Sequence, residues 1–273
     1  MIATLTDVLT PALLGGYAVA GVVVQGWEDA CAYVQAAEAE HVPIILQAGP
    51  GARAHMPMAL LGQMFRHLAE TAAIPVVAHL DHGADLAECR AAIDCGFTSV
   101  MFDGSALPLA ENIAQTAAIV TMAHAAGVAV EAELGFVGYA DGAVSRGTDP
   151  EEARVFAVAT GVDALAVAIG NLHLMQSGQA AMDWDLLARI EATCALPLVL
   201  HGGSGIAIVD RRRLVRGHIC KVNIGTELRQ SFGAALRDVL TDPAKFDRNV
   251  ILSQTMPALT DAARTAIRSL RSA

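Results

Sequence analysis

The chain has 273 residues, 54% hydrophobic and 17% charged, enough apolar material for one large core and unlike the composition of disordered chains. Eighteen Lys and Arg against 28 Asp and Glu leave a formal charge of −10, which excludes a basic face for nucleic-acid phosphates or an anionic membrane. No apolar run reaches the roughly 20 residues that span a bilayer, and the first residues lack the pattern of a secretory leader, so a cytoplasmic protein is expected.

In chain order, strand-like runs recur at Tyr17 to Val24, Val42 to Ala48, Ile74 to Asp81, Phe97 to Asp103, Gly127 to Leu134, Val162 to Ile169, Leu196 to Leu200 and Ile219 to Ile224. Amphipathic stretches lie between them, some with clear start signals: Asp149-Pro150-Glu151-Glu152 before Ala153 to Thr160, and Asp183 before Trp184 to Ala192. Eight near-continuous apolar runs, each followed by a helix, predict a (β/α)8 TIM barrel whose parallel sheet is buried on both faces. A doubly wound open sheet is the alternative. The barrel is preferred because polar, Gly-rich and His-bearing residues gather after several different strands, as a site on the C-terminal face of a barrel requires. Residues 1–273 are expected to form a single domain, with a helical extension over about 244–273. The five cysteines show no CxxC spacing and read as small buried hydrophobes.

His82, His173 and His201 follow three of these runs. Three neutral imidazoles from three strand ends can meet at one point and leave a fourth position on a zinc ion open, the arrangement of catalytic zinc sites. Asp81 precedes the first histidine. Glu131 and Glu133, two apart on a strand, face the same way, and such a pair inside a barrel is costly unless it meets cations or donors. Gly202, Gly203, Ser204 and Gly205 after the seventh run, and Asn223, Ile224, Gly225 and Thr226 after the eighth, open successive helices whose free N–H groups favour an anion.

Taken together, GGYAV (Gly15 to Val19), PIILQ (Pro43 to Gln47), HLDHG (His79 to Gly83), MFDGS with LP and EN (Met101 to Asn112), EAELG (Glu131 to Gly135), TDPEEA (Thr148 to Ala153), TGVDALAVAIG (Thr160 to Gly170), LHGGSGI (Leu200 to Ile206) and KVNIGTELR (Lys221 to Arg229) resemble the class II, metal-dependent ketose-bisphosphate aldolases. The resemblance spans nearly the whole chain. It implies a divalent ion, usually zinc, on His82, His173 and His201, with Glu133 and Asp103 as an alternative or second cation position. Asp81 would be the acid/base and Glu131 a partner of a ligand histidine. The glycine-rich segments would hold the phosphate of dihydroxyacetone phosphate, and no Schiff-base lysine is needed. By the same analogy a homodimer or homotetramer acting on a sugar phosphate is expected.

Three departures bear on the substrate. The strand-six histidine is followed in the family by glycine, whose backbone approaches the phosphate, and here by Leu174. The loop after EAELG is shortened to GYADGAVSRG, leaving Asp141 as its nearest carboxylate and candidate catalytic group. Val24-Gln25-Gly26 stands where asparagines are common. The expected activity is retro-aldol cleavage of a ketose (bis)phosphate to dihydroxyacetone phosphate and an aldehyde. The alternatives are a metal-dependent carbon–carbon lyase with another, non-bisphosphate substrate, and a non-catalytic aldolase-like subunit.

Overall fold

A computed structural model of the chain describes residues 1–139 and 142–271. Its strands are β1 (Ile2–Ala3), β2 (Val19–Val23), β3 (Ile44–Ala48), β4 (Val76–Gly83), β5 (Ser99–Phe102), β6 (Ala129–Leu134), β7 (Ala164–Val167), β8 (Leu198–Leu200) and β9 (Ile219–Ile224). All pairings are parallel, and β2 to β9 close on themselves through the contact of β2 with β9, giving the expected barrel. Each of the eight predicted runs holds one barrel strand within its bounds, except that β4 continues two residues past its run, to Gly83. The helix signals also hold: Asp149 accepts from the N–H groups of Glu151 and Glu152 at the start of Pro150–Thr160, and Asp183 from Leu186 at the start of Trp184–Thr193.

Two elements were not expected. β1 pairs its two residues with Val76 and Val77 at the base of β4. The helix Leu5–Gly15 follows, started by a capping box in which the Thr4 hydroxyl accepts from Asp7 N–H and the Asp7 carboxylate from Thr4 N–H. Its buried stripe Leu5, Val8, Leu9 and Ala12 packs with the inward-facing Val19, Ile45, Val77, Ala129 and Val199, so this helix plugs the bottom of the barrel. Above that apolar layer the interior becomes polar. Gln47, His79, Ser99, Glu131 and Lys221 all point inward and are fully buried.

The C-terminal extension consists of the helices Arg248–Ser253 and Met256–Ser269. The second lies against the helix Trp27–Glu40, where Glu40 accepts from Arg264 Nε (2.9 Å) and Arg268 Nε (3.0 Å). Hydrogen bonds from Arg268 and then Arg264 pull the Glu40 carboxyl down to about 2. Because the folded value lies below the roughly 4.3 of an unfolded glutamate, this clamp stabilises fully above that pH and is lost as pH falls through about 2. In urea titrations the wild type should therefore lose more stability between about pH 4.5 and 2 than Glu40→Gln does; equal losses would show that the clamp contributes nothing.

Candidate metal centre and active site

β4 places its alternate residues Val77, His79 and Asp81 in the barrel interior. His82 should then point outward, yet its backbone enters the left-handed region, with φ of 52°, and the pairing with β5 jumps from Leu80 to Gly83. The bulge brings two successive side chains to one site. His173, in the loop after β7, donates its N–H to Gly138 O, and His201 stands immediately beyond β8. The three predicted ligands converge: the ring centroids are 4.7 Å (His82 to His201), 5.2 Å (His82 to His173) and 5.5 Å (His173 to His201) apart. One nitrogen from each ring lies within 4.8 Å of the others, and a nitrogen of His82 with oxygens of Asp103 and Glu133 meets the same limit.

Hydrogen bonding fixes which atoms face the centre. His201 Nε2 lies 3.2 Å from Glu131 Oε1, so its N–H donates there and Nδ1 carries the lone pair. That Nδ1 faces Glu133 Oε2 at 3.4 Å, and both atoms are buried with no hydrogen-bond partner among the described residues. Two such atoms facing each other in a buried site need a proton or a cation between them, and with nitrogens of His82 and His173 converging on the same point the residues present fit the metal that their pattern implies. Burial, reinforced by the charge of His82, pushes His173 down to about 4, and burial pushes His201 well below its ordinary value, leaving the neutral imidazoles that ligate metals. Burial opposes charge on His82, but Asp81 and the 2.7 Å contact of its Nδ1 with Asp103 Oδ2 outweigh it and raise the ring to about 9. Burial, then Asp103, raises Glu133 to about 8.

Among the described residues, Asp81 is held by hydrogen bonds on one side only. Its Oδ1 accepts from Gln47 Nε2 (2.7 Å) and Asn223 Nδ2 (3.1 Å), whereas Oδ2 points toward Gly49, where an added Cβ would lie 3.4 Å away. Burial favours the neutral acid, but His82, His201 and Lys221 outweigh it and hold the carboxyl below its usual range. The result is an ionised carboxylate with one oxygen anchored and the other available for a proton. Below it, Lys221 Nζ is fully buried, 2.7 Å from Glu131 Oε2 and 3.3 Å from His79 Nε2. This lysine is engaged in an ion pair.

A cavity of about 680 Å³ opens above these groups, and Gly202, Ser204, Asn223, Gly225 and Thr226 line it together with Asp81, His82, Asp103 and His173. Ser204 Oγ accepts from the N–H groups of Gly225 and Glu227, tying the two glycine-rich segments together. Ile224 packs outward into the core and Gly203 is buried against Val222, so neither side lines the cavity. Asp141 lies outside the described residues. Leu174 adopts φ of 54°, the conformation a glycine takes freely, with its side chain 50% exposed on the cavity wall. The backbone at 174 thus makes a turn that suits glycine although a leucine occupies it.

Gln47 and Tyr139, which support and line the site, had no role in the sequence reading. Gln47 is the one polar residue of an apolar strand, and that break was a usable signal. Tyr139 carried none: it reaches the site because Phe136 and Arg146 pair across the loop after β6, and its ring stacks on His173 with centroids 5.1 Å apart.

Converging imidazoles, a half-anchored carboxylate and an anion-suited corner at the C-terminal mouth of a TIM barrel define a metal-dependent barrel enzyme. The family described as fructose-bisphosphate aldolase class-II matches residues 3–273. A fructose-bisphosphate aldolase of Geobacillus stearothermophilus is 38% identical over 264 residues, covering 94% of this chain and 92% of that protein. One from Staphylococcus aureus strain Mu50 is 36% identical over 277 residues, covering 97% and 96%. The crystal structure of the YdjI aldolase from Escherichia coli K12 superposes with a TM-score of 0.88 at 31% identity, covering 100% of this chain and 98% of that one. The chain belongs to the class II fructose-bisphosphate aldolase family and is accordingly a metal-dependent aldehyde-lyase.

Replacing His82 or His201 by Ala should remove the divalent metal and activity together, because two imidazoles hold such an ion far more weakly than three. Metal analysis of the purified variants checks this; full occupancy in both would refute the ligand set. Asp81→Asn should keep the metal and lose about 10²- to 10⁴-fold in rate, the usual range for a positioned acid or base.

Proposed function

We propose that the protein cleaves a phosphorylated ketose to dihydroxyacetone phosphate and an aldehyde, with zinc on His82, His173 and His201. The observation that carries this reading is the free oxygen of Asp81 beside three converging imidazoles. When bound, a divalent cation supplies Lewis-acid stabilisation of the negative charge that develops on the ketose oxygen. Asp81 removes the proton from the hydroxyl next to the scissile carbon–carbon bond and returns it in the condensation direction. Gln47 and Asn223 keep its second oxygen from turning away.

The phosphate is assigned to the corner formed by Gly202, Ser204, Asn223, Gly225 and Thr226, with the backbone of Gly203 and Ile224 supporting it. Asp103 and Glu133 provide an alternative cation position with His82. Asp141 is assigned to assist proton transfer from the shortened loop. Residues 1–273 act in this reading as one domain, in a cytoplasmic homodimer or homotetramer; no helix among the described residues is long and apolar enough to cross a membrane.

The side chain of Leu174 favours one further reading, a related lyase whose substrate is shaped differently at the phosphate corner. Release of dihydroxyacetone phosphate from fructose- and tagatose-bisphosphate, with and without a chelator, tests the main reading. Metal-loaded protein that cleaves neither would overturn it in favour of the second. Since the backbone at 174 already takes the glycine-like turn, the wild type should be active on a bisphosphate and Leu174→Gly should gain less than about threefold in kcat/KM. A gain well above that would show that the side chain obstructs the phosphate.

A further inference from the structure

Asp81 and His82 sit where the barrel's hydrogen-bond ladder is interrupted. Pairing of β3 with β4 ends at Ala48 opposite Leu80, and pairing of β4 with β5 skips from Leu80 to Gly83. Carbonyl groups at such a break need donors from elsewhere. One side chain supplies them. Arg53, from the helix Pro50–His55, donates from Nη1 to Ala48 O and to Asp81 O (both 2.6 Å) and from Nη2 to His82 O (3.0 Å).

Its remaining edge is fixed as well. Arg53 Nε donates to Glu88 Oε1 at 3.0 Å, and Glu88 Oε2 accepts from the N–H of Ala84 at 2.8 Å. Glu88 is in turn oriented in the first turn of the helix Leu86–Asp94, where its N–H donates to Asp85. The segment Asp81 to Ala84 is therefore gripped from both sides, at two carbonyls and one N–H. The Arg53 side chain is only 9% exposed and does not line the cavity.

That grip has a reason. A left-handed conformation at His82 is unfavourable for an L-residue and persists only where its surroundings over-determine it. Relaxed to an ordinary extended conformation, His82 would follow the strand alternation and turn its ring away from His173 and His201. A planar guanidinium can bridge three carbonyls and a carboxylate at once, whereas an ammonium has no such fork.

We propose that Arg53, locked by Glu88, is a positioning residue that holds His82 and Asp81 in register with each other, so that metal affinity and turnover depend on a group touching neither metal nor substrate. The inference rests on the reading of His82 as ligand and Asp81 as base.

The test uses the full chain with R53M, R53K and E88Q. Zinc affinity of the metal-free proteins is measured by competition with a chromogenic chelator, the cobalt-substituted forms are compared by visible absorption, and kcat, KM and thermal unfolding are recorded. R53M should bind zinc about 10- to 100-fold more weakly, as loss of a group supporting a metal ligand does, with an altered cobalt spectrum and a fall in kcat at nearly unchanged KM. R53K should recover part of the affinity. E88Q, which keeps the guanidinium and removes one anchor, should show the same changes in smaller measure, and it decides the matter if R53M does not fold. Wild-type zinc affinity and an unaltered cobalt spectrum in the folded variants would overturn the proposal. H82A separates the two layers: if it too retains zinc, the ligand assignment itself fails, whereas zinc loss in H82A with none in R53M or E88Q rejects only the positioning role.

Discussion

Glu131 is the constraint around which the barrel interior is built. It has no contact with water, and its two oxygens are divided between Lys221 below and His201 above. An unpaired carboxylate there would cost several kcal/mol, and removing one partner of a buried pair typically costs about 3–5 kcal/mol, so lysine and glutamate must come together. The lysine then meets His79, and His79 meets Ser99, which accounts for all but Gln47 of a polar layer where most barrels of this kind place branched aliphatic side chains. The other oxygen takes the N–H of His201 and thereby selects the nitrogen presented to the centre. Charge compensation deep in the barrel and ligand geometry at its mouth are one arrangement.

The upper half of the molecule carries strain that the lower half can support. His82 and Leu174 both hold left-handed backbones beside the site, each at a cost of about 1–2 kcal/mol. Glu133 Oε2 and His201 Nδ1 face each other, buried and with no hydrogen-bond partner among the described residues. The base of the barrel, by contrast, is dry and fully packed by the helix Leu5–Gly15 against inward residues of β2, β3, β4, β6 and β8. Unfavourable geometry at the chemical end persists because the opposite end is well packed.

What could be read in the sequence follows from how locally each feature is encoded. Apolar runs buried on both faces, the Asp caps at 149 and 183, and histidines at strand ends are short-range signals, and the strands, helices and ligand cluster appear where these signals lie. The helix Leu5–Gly15 was obscured by Pro11 in its interior, although the stripe Leu5, Val8, Leu9, Ala12 was present. β1 is too short to leave a pattern. Alternation placed Glu131 and Glu133 on one face correctly, but the same rule turns His82 outward, and only the bulge against β5 reverses it. Arg53 and Tyr139 were invisible for a different reason: one acts through backbone carbonyls and the other arrives by pairing across a loop, and neither leaves a residue pattern.

The closure of the barrel between β2 and β9 also governs how the chain can be made. Val19 finds its partner Lys221 roughly 200 residues later in the chain. At ribosomal rates of about 5–20 residues per second, β2 therefore waits on the order of ten seconds or more with one edge unpaired. An open parallel edge is a template for foreign strands, and long-range parallel pairing is inherently slow. The nascent protein thus keeps that edge open until Ile219–Ile224 has been made, and the helix Met256–Ser269, synthesised later still, then seats against Trp27–Glu40 beside the closed seam.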